Sequence, residues 1–193
     1  MRPGKFIVLE GIDGAGTSTH AKLLGEWLEK EGHSVVITEE PTAELIGTLI
    51  RDNLQTKKTS PIVDALLFAA DRLDHWENLI KPSLATNKIV ISDRFIESSL
   101  AYQTATGLEM AWVQEINKFV EEPDLTIILD VDPEIGLSRK PKLGDKFENA
   151  IFLGWVRDIY LKRATEKNYP IVRTNSSIEE VQTQLQKIVR RIL

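Results

Sequence analysis

Five short apolar runs rich in β-branched residues alternate with longer stretches of helical periodicity, and this alternation constrains the chain more than any other feature. The runs are Phe6–Leu9, Val35–Thr38, Ile89–Ser92, Leu125–Val131 and Ile171–Arg173. Runs so short and so apolar read as buried strands. Between them, Ser18 to Glu31, Thr42 to Leu54, Ser60 to Thr86, Glu109 to Glu121, Asp145 to Lys167 and Ser177 to Leu193 space their apolar residues as helices do. Parallel strands cannot be joined by tight turns and need crossover connections, which helices supply. The pattern predicts an α/β fold with a five-stranded parallel sheet and helices on both faces. Local punctuation agrees with it. Gly32 stands where a left-handed helix cap is expected, Pro61 follows Ser60 as a first-turn proline, and Pro133 opens a further helix after Asp132.

The 193 residues contain no repeat, linker or low-complexity tract, so residues 1–193 are expected to form one domain. The absence of cysteine excludes a disulfide framework, a thiolate zinc site and a thiol nucleophile. A net charge of −5 argues against broad binding to a nucleic acid backbone, so anionic ligands need a local cluster of cations. The opening MRPGKFIVLEG runs from strand directly into a glycine-rich turn and does not read as a signal segment. No apolar run reaches the roughly 20 residues of a membrane span. A cytoplasmic protein is expected, without nucleic acid or membrane partners.

The glycine-rich turn is GIDGAGTST, comprising Gly11, Ile12, Asp13, Gly14, Ala15, Gly16, Thr17, Ser18 and Thr19. Its spacing is that of the Walker A phosphate-binding loop, or P-loop, except that Thr17 occupies the lysine position. The glycines allow backbone N–H groups to converge on phosphate oxygens at a helix N-terminus, and Ser18 stands where a hydroxyl ligand of Mg²⁺ belongs. Loss of one preorganised donor to a developing oxyanion costs on the order of 10²–10³ in rate. Thr17 therefore implies either slow chemistry or another cation in place of the lysine. The segment from Ser138 to Lys146 contains Arg139, Lys140, Lys142 and Lys146. A lid over residues 139–146 could carry these charges to the phosphates.

Several separate blocks, in order, resemble the thymidylate kinase family over nearly the whole chain. They are FIVLEGIDGAG at the start, TEEPT at Thr38–Thr42, LLFAADRLDHW at Leu66–Trp76, SDRFIESSLAYQ at Ser92–Gln103 and PDLTIILDVDPEIGLSR at Pro123–Arg139. The resemblance implies a P-loop NTPase fold, ATP as phosphoryl donor, Mg²⁺ as cofactor, dTMP as acceptor and a homodimer. It implies that Gly11 to Thr19 bind ATP and that Asp13, Arg94 and Arg139 act in catalysis, with Ser18 and Asp93 serving the metal. The lid departs from the family, many of whose members carry arginines there, and Lys140 and Lys142 join the catalytic candidates only as cations that could replace the missing lysine. By the same resemblance Asp13, Glu40, Pro41, Phe68, Arg72, Arg94, Ser99, Tyr102 and Gln103 bind dTMP. Phe68 and Arg72 are four residues apart and share a helix face, which suits an aromatic plane beside a hydrogen-bonding cation. The histidines His20, His33 and His75 receive no chemical role and are expected at the surface or in packing. Two other readings stay open: a different nucleoside monophosphate kinase, and a nucleotide-binding protein of weak catalysis because the P-loop lysine is absent.

Overall fold

The computed structural model describes residues 4–56, 59–139 and 149–193. In chain order the elements are β1 (Lys5–Gly11), α1 (Thr17–Lys30), β2 (Val35–Glu39), α2 (Leu45–Thr56), α3 (Pro61–His75) and a π-helical turn (Trp76–Ile80). Then follow α4 (Lys81–Ala85), β3 (Ile89–Asp93), α5 (Ile96–Ala105), α6 (Met110–Ile116), β4 (Leu125–Asp130), α7 (Pro133–Ser138), α8 (Ala150–Lys167), β5 (Ile171–Arg173) and α9 (Ile178–Val189). The sheet is wholly parallel in the order β2-β3-β1-β4-β5, as the alternation predicts.

Successive side chains of a strand point to opposite faces, and β1 at the sheet centre buries both. Phe6 and Val8 join Trp76, Ile80, Leu84, Val90 and Phe95 on one side. Ile7 and Leu9 join Leu24 and Leu28 of α1 and Val181, Leu185 and Val189 of α9 on the other. Each such side chain, fully buried, contributes about 1.5–3 kcal/mol before entropy is counted. No helix among the described residues is long and apolar enough to cross a membrane.

Several boundaries differ from the periodicity, each for a local reason. The long helix expected over Ser60 to Thr86 is divided by the π turn immediately before Pro82. That proline has no N–H and crowds the carbonyl four residues earlier, so the helix widens there. The next difference is α2, which begins at Leu45 rather than Thr42, because the Thr42 amide and hydroxyl are held by Asp71 at 2.8 and 2.6 Å. A further helix, α5, shows no amphipathic stripe in the sequence because Glu97, Ser99, Leu100, Ala101, Tyr102 and Gln103 are all buried. Asn149 caps α8, accepting from the Phe152 N–H at 3.0 Å; the expected start at Asp145 lies outside the described residues.

One buried ion pair ties α5 to α8. The Arg163 Nε and Nη2 donate to the Glu97 carboxylate at 2.8 and 2.7 Å, and the Tyr169 hydroxyl donates to it at 3.1 Å. Both charged side chains are only 7% exposed. Removing one partner of a buried pair leaves the other charge uncompensated, at about 3–5 kcal/mol. Urea denaturation of Arg163→Met should show a loss of that order, and Glu97→Gln combined with Arg163→Met should lose less than Arg163→Met alone. A loss in the double variant equal to the sum of the two single-variant losses would show that the pair is not coupled.

Candidate active site

The site lies where the carboxyl ends of β1, β2 and β3 come level, with Leu9 and Glu39 both in register with Asp93. Ligands of open α/β sheets bind outside such strand ends. The Arg94 N–H donates to the Leu9 carbonyl at 2.9 Å, and the Glu40 N–H to the Asp93 carbonyl at 3.0 Å. Three chain exits are thereby fixed against one another.

From β1 the chain turns through Gly14 and Gly16, both at positive φ, into α1. No side chain caps α1. The N–H groups of its first turn have no intrahelical acceptor and, with the helix dipole, make an anion site. Thr17 is buried at the base of this loop. The Ser18 hydroxyl donates to Asp93 Oδ2, while Asp93 Oδ1 is buried without a partner among the described residues.

From β3 the chain leaves through Arg94, held at φ 71°. Its Nη1 donates to the Gly11 carbonyl at 2.7 Å and its Nη2 to Asp13 Oδ1 at 2.8 Å. The Tyr102 hydroxyl donates to the same Asp13 oxygen at 3.1 Å. Burial pushes the Tyr102 phenol far above its ordinary pKa, so it stays a neutral donor.

Two cavities meet across these residues. One of about 360 Å³ is lined by Gly14, Gly16, Thr17, Ser18, Thr19, Glu39, Glu40 and Asp93. The other, of about 230 Å³, is lined by Leu54, Phe68, Ser98, Ser99, Tyr102 and Gln103. Asp13, Pro41, Arg51 and Arg94 line both. In the smaller cavity Gln103 is buried with its amide oxygen unpartnered among the described residues.

A family model described as thymidylate kinase matches residues 9–185. The chain belongs to the thymidylate kinase family. A probable thymidylate kinase of Pyrobaculum aerophilum is 45% identical over 191 residues, covering 97% of each chain. Another, of Thermococcus kodakarensis, is 44% identical over 199 residues, covering 97% of this chain and 96% of that one. The crystal structure of thymidylate kinase from Ehrlichia chaffeensis superposes with a TM-score of 0.80 at 31% identity, covering 97% of this chain and 98% of that chain.

Of the residues that the thymidylate kinase resemblance singles out, Pro41, Phe68, Ser99, Tyr102, Gln103, Arg94 and Asp13 line the smaller cavity. Arg72 is placed differently: it is 1% exposed and does not line that cavity. Its Nε donates to Glu40 at 2.9 Å, Nη1 to Ser99 at 2.8 Å and Asn117 at 2.5 Å, and Nη2 to the Phe95 carbonyl at 2.9 Å, while Nη2 also makes an ion-pair contact with Glu40 at 2.8 Å. Four of its five N–H groups are committed. The Glu40 carboxylate, also taken by His75 at 3.1 Å, is turned to this cluster beneath the pocket. Arg139 is likewise outside the cavities. Its Nη1 and Nη2 donate to the carbonyls of Gly14 and Thr174 at 3.1 and 2.7 Å, strapping the back of the P-loop. Lys140 and Lys142 lie outside the described residues. His20 and His75 are buried and hydrogen-bonded, in keeping with packing, while His33 is exposed.

Sequence reasoning missed Arg51 and Glu10. Arg51 belongs to no motif and sits on an amphipathic helix like any solvated arginine. Glu10 carried a signal, a carboxylate closing an apolar strand. It is fully buried and accepts from the N–H groups of Phe95 and Ser98 at 2.8 and 3.2 Å. Its second oxygen accepts from the hydroxyls of Ser98 and Tyr160 at 2.6 and 3.0 Å. Burial pushes the Glu10 carboxyl from 4.5 up to about 7, against the opposing pull of Ser98 and Arg94. The folded protein therefore holds this proton more tightly than the unfolded chain. The stability it gives is complete below pH 4.5 and is lost as pH rises through about 7. Glu10→Gln cannot ionise, so between pH 4.5 and 8 wild type should lose about 3 kcal/mol relative to it in denaturant titrations. Parallel pH curves for the two proteins would mean that this carboxyl titrates normally.

Proposed function

We propose that this chain transfers the γ-phosphoryl group of ATP to dTMP, giving dTDP and ADP, as a cytoplasmic step of dTTP synthesis. The reading is carried by the two cavities meeting across Asp13 and Arg94, one floored by the P-loop and the other walled by Phe68 and Gln103.

The triphosphate takes the N–H groups from Gly11 to Thr19 and the positive end of α1. Ser18 and the unpartnered Asp93 Oδ1 suit Mg²⁺, which keeps most of its ligands from water and phosphate; no cluster of three acidic or histidine ligands is present among the described residues. Mg²⁺ bound there neutralises phosphate charge. In the acceptor cavity Phe68 offers a plane for the base, and the Gln103 amide oxygen can accept the N3–H of thymine. Tyr102 crowds the sugar against a 2′-hydroxyl. Arg72 supports this pocket from behind through Ser99. Arg94 has N–H groups left over from Gly11, Ser98 and Asp13 for the acceptor phosphate.

An oxygen of the dTMP phosphate forms a bond to the γ-phosphorus as the bond to the β,γ-bridging oxygen breaks, its electron pair leaving with ADP. The acceptor is already ionised near neutral pH, so no general base is required and catalysis is positioning and charge neutralisation. Asp13 and Arg94 do the positioning. A homodimer completes the proposal, supported by the exposed apolar side chains Ile62, Leu66 and Leu73 along one face of α3 beside Leu45 and Leu49 of α2.

A panel of dTMP, dUMP, dGMP, dCMP, AMP and CMP with Mg-ATP tests the reaction by ADP release. dTMP should be turned over best, Asp93→Ala should abolish turnover, and Gln103→Leu should lower kcat/KM for dTMP by roughly 10–100-fold as a hydrogen bond is lost. Preference for another monophosphate would overturn the base assignment, and binding without turnover would favour a nucleotide-binding protein. For assembly, Leu66→Glu should convert a dimer to a monomer in sedimentation velocity; a wild-type monomer would remove the dimer from the proposal.

A further inference from the structure

The P-loop offers phosphate N–H groups but no charge. Thr17 is 6% exposed, and its hydroxyl is neutral and shorter in reach than a lysine side chain. The cleft around it is otherwise acidic, with Asp13, Glu39 and Asp93 in its walls, and the cations lining it among the described residues are Arg51 and Arg94.

Hydrogen-bond accounting separates the arginines near the site. Arg72 commits four of its five donors beneath the pocket and lines neither cavity. Arg139 faces the back of the loop. Arg94 is set between Gly11, Ser98 and Asp13 and faces the acceptor. Arg51 donates from Nη1 to the Thr42 carbonyl and from Nη2 to the Pro41 carbonyl and, at 3.0 Å, to Glu39. Its Nε–H and one Nη1 hydrogen have no acceptor among the described residues. The guanidinium is also anchored: the loop that holds it is itself fixed by Asp71 through Thr42. Because Arg51 lines both cavities, it stands where donor and acceptor phosphates must approach each other.

We propose that Arg51 supplies to the transferring phosphoryl group the positive charge that Thr17 does not. The inference rests on the phosphotransfer reading above. A preheld guanidinium costs no reorganisation as charge develops, and its planar fork can take two phosphoryl oxygens. Arg51 transfers no proton; it donates hydrogen bonds to non-bridging oxygens while the bond to the β,γ-bridging oxygen breaks.

The test is a kinetic cycle on the full chain with Mg-ATP and dTMP, using Arg51→Ala, Thr17→Lys and the two combined, beside Lys140→Ala and Lys142→Ala. Arg51→Ala should lower kcat on the order of 10²-fold with little change in either KM. Adding Thr17→Lys should restore most of that loss, which a merely structural role for Arg51 would not allow. Arg51→Gln, whose amide can still donate to the loop carbonyls, should repeat both results and keeps the test open if the alanine variant does not fold. A raised KM for dTMP with kcat intact would make Arg51 an acceptor clamp and overturn the proposal. So would rescue by Thr17→Lys of Lys140→Ala or Lys142→Ala and not of Arg51→Ala. Absence of dTMP turnover by wild type would instead sink the parent reading.

Discussion

The Glu10 carboxylate holds the cleft together. It closes β1, yet its acceptors serve the start of α5, where Phe95 has no side-chain cap of its own. A helix start satisfied by a residue from another element is fixed relative to that element. The residue just before, Arg94, is consequently held in a left-handed conformation that a non-glycine residue enters only under constraint. From that position its guanidinium reaches Gly11 and Asp13 across the gap between β3 and the P-loop. Ser98, which also bonds Glu10, and Tyr160 bring α8 into the same network.

Most of the fold was legible because its three central strands, β1, β3 and β4, are buried on both faces and most of its helices on one, so hydrophobic period reported burial directly. Where that relation failed, legibility failed. The α5 helix is buried around its circumference, with Glu97, Ser99 and Gln103 inside, so it has no stripe to read. A single interrupting residue, Pro82, changed a long helix into three pieces, and a side chain 29 positions downstream of Thr42, Asp71, delayed the start of α2. The second effect lies outside the window that periodicity surveys, and the first is a single residue that leaves the apolar spacing around it intact.

The site divides in the same way. Positions that depend on backbone form, Gly14 and Gly16 at positive φ, could be read from spacing alone. Arginines could not be sorted, because a sequence gives the presence of five donors and not the acceptors that consume them. Arg72, Arg94, Arg139 and Arg51 are chemically identical. Only their neighbours make the first a strut, the second a clamp and the third a strap, and tie the last to the loop after β2. Family resemblance supplied the first three by position, and the structure sets Arg72 beneath the pocket and Arg139 against the Gly14 and Thr174 carbonyls.

The P-loop presses against α7 backbone to backbone. A methyl group built on Gly14 would meet the Gly136 carbonyl oxygen at 2.0 Å, and one on Gly136 would meet the Asp13 carbonyl oxygen at 2.5 Å. Each glycine therefore polices the other. Neither position can take a larger residue whatever stands opposite, because each clash is with backbone, so two sites more than a hundred residues apart are both held to glycine by one contact.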